Sequence, residues 1–301
     1  MADLKNVNSR VSRGAQQVKS GLQDTRDAAG NAAHHAAPGL ETLARVGYAS
    51  KGIVYFTVGF LALSVALGQG GRTTDTRGAL LKLQDLPGGS ALLLVVAVGL
   101  VGYALWQLIR AVLDPERQGT AAKGIAKRLG YLLSGGVNLT LAVFTARLAA
   151  SGSAPQGGDS QAQAAGTVLN LPGGQLLLGL VGLGLLALAG SQLFTAYGAK
   201  FMKRMNFAGV NGRVKDLLVK TGQLGIGSRG VLMLIIGGFA LLAAWNRKAS
   251  ETVGISQALT WLNSQPSGNL LLGLVAVGTL CYGVWCVVQA RYRRIRIQDA
   301  A

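Results

Sequence analysis

"RVGYASKGIVYFTVGFLALSVAL", residues 45–67, places Arg45 and Lys51, spaced by Gly47 and followed by Gly52, at the head of a long uncharged run. Cations among glycines suit either a loop that cradles phosphate or the edge of a membrane span. The same pattern begins twice more, in "RLGYLLSGGVNLTLAVF" at Arg128 and "QLGIGSRGVLMLIIGGFALL" at Gln223. Whatever the reading, it has to hold three times.

The chain favours the membrane. Of its 301 residues 50% are hydrophobic and only 14% charged, with 44 glycines, a balance foreign to soluble domains. Six uncharged apolar runs cover residues 52–67, 91–109, 129–146, 175–196, 230–245 and 270–289. With apolar or snorkelling flanks each approaches the ~20 residues that cross a bilayer. The intervening segments are too short and polar to cover six all-round apolar helices in water. The expectation is an all-α membrane protein with six transmembrane helices.

All but six of the 29 Lys and Arg fall in the N-terminal segment, the loops after the second and fourth spans, and the C-terminus; Arg72, Arg77, Lys82, Arg147, Arg247 and Lys248 are the exceptions. Positive residues stay on the cytoplasmic side, so both termini are expected in the cytoplasm. The formal net charge of +17 is thus a matter of topology and of attraction to anionic headgroups, the partner it implies. It is no sign of nucleic acid, for which the chain has neither a zinc-ligand spacing nor a basic recognition helix.

Internal similarity organises the rest. The segments "LPGGSALLLVVAVGLVGYALWQLIRA" from Leu86, "LPGGQLLLGLVGLGLLALAGSQLFTA" from Leu171 and "QPSGNLLLGLVAVGTLCYGVWCVVQA" from Gln265 align without a gap, superposing Pro87, Pro172 and Pro266. The openings align on Arg45, Lys51 and Gly52, on Arg128, Ser134 and Gly135, and on Gln223, Arg229 and Gly230. Each unit holds two spans, so successive units insert with the same orientation and form parallel repeats. The division is a cytoplasmic tail at 1–43, weakly amphipathic or disordered, then repeat 1 at 44–111, a loop at 112–126, and repeat 2 at 127–197. A basic loop at 198–222, repeat 3 at 223–291 and a C-terminus at 292–301 complete it. The expected architecture is a pseudo-threefold bundle of three parallel two-helix repeats.

With its basic "R-x-G-Y-x-S-[KR]-G" opening and the "P-x-G-x-L-L" start of each second helix, the chain resembles uncharacterised bacterial membrane proteins. These are defined by a thrice-repeated two-helix domain of unknown function. The resemblance covers residues 44–292 and implies six spans in a bacterial inner membrane; it brings no activity, ligand or catalytic residue. The second unit departs from it, with Ser134 where the others carry Lys51 and Arg229.

Glycines within the spans read as close-packing positions between helices. "GIGSRG" at 225–230 has the glycine spacing of a dinucleotide loop but follows a basic loop rather than a buried strand. Each repeated proline follows a short segment with apolar residues at helical spacings. That suits an interfacial helix turning into the next span, with a re-entrant segment as the alternative. The six apolar runs hold no Asp, Glu, Lys, Arg or His, which weighs against ion-driven pumping.

Paired carboxylates, a nucleophile beside a histidine and a metal cluster are all missing from the sequence, so neither an enzyme nor a cofactor is expected. The polar groups left in the spans include Gln107 and Gln192 at equivalent positions, and the equivalent pairs Tyr103 and Tyr282, Trp106 and Trp285. They read either as interhelical and interfacial packing or as a polar, aromatic vestibule. Two functions stay open: a membrane scaffold or envelope component, packing with itself or with membrane-protein partners, and a passive channel or carrier for a small neutral or amphipathic solute along the pseudo-threefold axis.

Overall fold

The computed structural model describes Gln16 and residues 37–116, 118–153 and 160–294; the expected tail lies largely outside these residues. Nine α-helices follow in order: α1 (Ala37–Ala66), α2 (Thr76–Gln84), α3 (Gly89–Val112), α4 (Ala122–Ser151), α5 (Ser160–Leu169), α6 (Gly174–Tyr197), α7 (Gly212–Asn246), α8 (Ile255–Asn263) and α9 (Gly268–Tyr292). Six of them, α1, α3, α4, α6, α7 and α9, are long and apolar enough to span a membrane.

The short helices α2, α5 and α8 each end just before the repeated proline, and the "P-x-G" that follows has a local cause. After the proline the chain takes a left-handed conformation, with φ of 75° at Gly88, 73° at Gly173 and 59° at Ser267. The next residue, Gly89, Gly174 or Gly268, presses against backbone carbonyls of the preceding short helix, where a Cβ would collide. Proline stops one helix, the left-handed residue turns the chain, and glycine lets the span start against the helix just completed. On α2 and α8, Leu80, Leu83, Leu259 and Leu262 are buried in the same apolar core as Leu93 and Leu272 of the spans. These two helices therefore pack at the end of the bundle opposite the start of α1 and the end of α9.

The long helices pack in the spatial order α4, α3, α1, α9, α7, α6. One contact recurs three times. Gly52 lies against Val287, Gly135 against Leu108, and Gly230 against Leu193; all three glycines are equivalent by repeat, as are their three partners. The first helix of each repeat thus meets the second helix of another, in cyclic order. This is the pseudo-threefold arrangement.

Among the described residues, the two long helices of a repeat pack extensively on each other in two of the three repeats. Gly47 and Gly99 bring α1 onto α3, with Ser50 against Gly99; Gly225 and Gly278 bring α7 onto α9, with Ser228 against Gly278. In the second repeat the equivalent Gly130 and Gly184 face open space, and α4 and α6 make no extended contact. The reason is legible in side chains. Leu133 stands where Ser50 and Ser228 fit against glycine, and a leucine is too large for that approach; it is 70% exposed instead. The ring of six helices is therefore open between α4 and α6.

Candidate functional site: cations and tyrosines on the concave face

Inside the ring, one face of α1 presents Tyr48, Lys51, Tyr55 and Val58 at steps of three and four residues. Because α1 begins at Ala37 and α7 at Gly212, Lys51 and Arg229 lie within helices. Lys51 is buried and Arg229 half-buried inside the ring, where a boundary with headgroups was expected. Lys51 is 6% exposed. Its Nζ stands 4.0 Å from the centre of the Tyr103 ring and 5.9 Å from that of Tyr55. Tyr55 meets Tyr282 edge-on at 4.8 Å. Arg229 lies over the Tyr282 ring at 5.2 Å and donates to its hydroxyl. Tyr103 in turn meets Tyr48 edge-on at 5.1 Å.

The series continues to the end of the bundle where α1 begins and α9 ends. Arg293 stands 5.1 Å from the Tyr48 ring and reaches Glu116 Oε1 at 3.0 Å. Arg110 and Arg204 reach Glu116 Oε2 at 2.9 and 3.3 Å, and the Tyr131 hydroxyl donates to the same oxygen at 3.1 Å. Glu116 thus gathers groups from α3, α4, the turn after α6 and the end of α9. Three guanidinium groups around one carboxylate outweigh the effect of its burial and hold Glu116 down to about 2. A short antiparallel bridge between Met205 and Arg293 sets two of the arginines side by side.

Lys51 and Arg229 have no such partner: among the described residues no carboxylate lies within ion-pair distance of either. Tyrosine side chains are set against both cations instead, Tyr103 and Tyr55 at Lys51 and Tyr282 at Arg229. Beyond Arg229, where α1, α6, α7 and α9 face one another, lies a cavity of about 140 Å³. Its walls are apolar, with Leu185, Leu232, Met233 and Ile236 among them, and Arg229, Tyr55 and Tyr282 contribute to its lining.

Other repeated positions have separate work. Arg45 donates to the Ala290 and Arg291 carbonyls at the end of α9, Arg128 to those of Ala111 and Val112 at the end of α3, and Gln223 to that of Tyr197 at the end of α6. These are equivalent contacts that satisfy C-terminal carbonyls of a neighbouring repeat. Gly52, Gly135 and Gly230 form the recurring inter-repeat contact, and Pro87, Pro172 and Pro266 precede the left-handed turns.

Of the six residues considered for a vestibule, Tyr103 and Tyr282 come together with the cations. Gln107 is buried and accepts from Arg110. Gln192 sits apart on α6 beside Met233. Trp106 packs with Tyr48, Tyr103 and Leu113, and Trp285 meets Phe201 edge-on at 4.7 Å. The residues that sequence reasoning missed are Tyr48, Tyr55, Arg110, Glu116, Arg204 and Arg293. A tyrosine three residues before Lys51 and another four after it was the available signal.

The sequence pattern described as Domain of Unknown Function (DUF1206) matches residues 46–114, 129–199 and 224–293, most of the chain. The chain belongs to the DUF1206 family. The three DUF1206 matches coincide with the two-helix repeats seen in the structure. An uncharacterised protein of Bacillus subtilis, YxxB, is 32% identical over 258 residues, covering 86% of this chain and 93% of its own length. No solved structure matches. Within the DUF1206 ring the second repeat is the odd one, with Ser134 in place of the cation and Leu188 in place of the tyrosine.

Proposed function

We propose that this chain is a non-enzymatic, multi-pass inner-membrane protein that binds an amphipathic anion on the concave face of its ring. The observation that carries the reading is the pair Lys51 and Arg229, two cations inside the helix ring with no carboxylate at ion-pair distance among the described residues. An isolated charge inside a membrane protein is costly, and tyrosine faces offset only part of that cost, by about 0.5 to 2 kcal/mol each. An anionic group between them would supply the missing charge, and the apolar cavity beyond Arg229 would take a hydrocarbon portion. Leucines of α2 and α8 are buried in the apolar core at the far end, which favours a binding site or carrier over an open channel.

We further propose that both termini lie in the cytoplasm. The support is that basic residues crowd the end of the bundle where α1 begins and α9 ends, and reporter fusions after Ala150 and Ala301 test it: a cytoplasmic signal at Ala150 contradicts it. A scaffold role has its own support in the glycine contacts between helices, but it gives no account of the two cations.

The test is calorimetric titration of the purified chain, in neutral detergent, with dodecyl phosphate and with dodecanol. Binding of the phosphate alone, weakened at least tenfold in Lys51→Gln combined with Arg229→Gln, is expected. Equal heats from both compounds, or none from the phosphate, would overturn the reading.

A further inference from the structure

We infer that the opening between α4 and α6 is a lateral doorway, and that the anion it admits is a membrane phospholipid whose phosphate reaches Lys51 and Arg229. This deepens the amphipathic-anion reading and depends on it. Three observations converge.

The first is that the doorway is written into one repeat. The other two close through a serine against a glycine and through a cation paired with a tyrosine. The second keeps both glycines, Gly130 and Gly184, yet carries Leu133, Ser134 and Leu188 at the closing positions. Leu133 and Leu188, both more than half exposed, give each side of the gap an apolar side chain, as a path for acyl chains requires.

The second observation is size. A cavity of about 140 Å³ matches one that holds a single benzene ring, of about 150 Å³. It takes a few methylene groups of a long chain and no more, so the rest of a lipid tail has to leave the ring. Leu185 of α6 lines the cavity, while Val181 and Leu188, four residues before it and three after it on the same helix, are exposed. An acyl chain leaving the cavity along this side of α6 meets apolar side chains next.

The third is depth. Lys51 lies fifteen residues into α1 from Ala37, at ~1.5 Å per residue about 20 Å along the helix. A soluble anion would have to pass the Glu116 cluster, where three arginines and Tyr131 already occupy the end of the bundle. A lipid arriving sideways from the bilayer meets no such barrier.

The experiment is native mass spectrometry of the full chain from nanodiscs of equal phosphatidylglycerol and phosphatidylcholine, alongside titration with dodecyl phosphate and inorganic phosphate. The chain is expected to retain one phosphatidylglycerol in at least tenfold preference. Retention should fall at least tenfold in Leu185→Trp on α6 and in Met233→Trp on α7, each of which fills the cavity. Equal retention of both lipids, or retention untouched by both tryptophans, would overturn the inference. So would displacement of the lipid by inorganic phosphate, which would identify a soluble anion. Dodecyl phosphate binding without phosphatidylglycerol retention would remove the lipid and leave the anion reading standing; failure of both removes both.

Discussion

Lys51 of α1 holds its ammonium 4.0 Å above the ring of Tyr103 on α3, and the third repeat builds the same pair from Arg229 and Tyr282. The pair is a clamp within a repeat as well as a source of positive charge. Where it is absent, between α4 and α6, the repeat stands open.

Removing one of these cations should separate stability from binding. Lys51→Met exchanges an interior charge without a carboxylate for a flexible apolar chain of similar length. Without ligand its melting temperature is expected to hold or rise by a few degrees, as for buried charges replaced by apolar residues, while dodecyl phosphate binding falls. A large loss of stability on its own would mean that the lysine serves packing.

Glu116 should behave in the opposite way. Glu116→Gln leaves Arg110 and Arg293, 5% and 8% exposed in their side chains, without their carboxylate, at a cost of about 3 to 5 kcal/mol. The same interaction sets an acid limit. Its carboxyl is depressed from 4.5 to about 2, so its contribution is full above pH 4.5 and disappears as the pH falls through 2. By linkage that contribution is about 3 kcal/mol. Thermal melts from pH 6 to pH 2 should show a decline confined to the acid side, missing in the glutamine variant.

The glycines divide into two groups by contact. A Cβ on Gly225 would stand 2.5 Å from the Tyr282 nitrogen, whereas one on Gly130, its equivalent, would meet nothing within 4 Å. Gly225→Ala is expected to lower stability by about 1 to 3 kcal/mol and Gly130→Ala to leave it within about 1 kcal/mol. Denaturation in detergent micelles compares them. Equal losses would mean that α4 and α6 pack together after all.

Ser267 takes a left-handed conformation that glycine holds at the equivalent positions 88 and 173. Ser267→Gly is therefore expected to stabilise the chain by about 1 kcal/mol, read from the same denaturation curves.

Much of this architecture was legible from the repeats. Six apolar runs, the parallel two-helix units and close packing at glycines such as Gly99 correspond to features of the ring, because each is local or recurs at a fixed interval; Gly184, read the same way, faces open space. The interior site was not. Lys51 and Arg229 stand next to the uncharged runs in the sequence and read there as boundary residues. Only the length of α1 and α7 beyond those runs, and the tyrosines brought in from α3 and α9, turn them inward. Glu116 lies in a loop, and the three arginines around it come from segments up to 183 positions apart, from Arg110 to Arg293; no local pattern announces such a cluster. The break in the ring was visible as Ser134, but its cause, Leu133 in place of a serine, emerges only once Ser50 and Ser228 are seen against their glycines.

The most direct measurement is an experimental structure of the full chain in nanodiscs containing phosphatidylglycerol. The account predicts a headgroup within hydrogen-bonding distance of Lys51 and Arg229, with its acyl chain leaving between α4 and α6. A dry interior, with α4 and α6 closed on each other through Gly130 and Gly184, would contradict it.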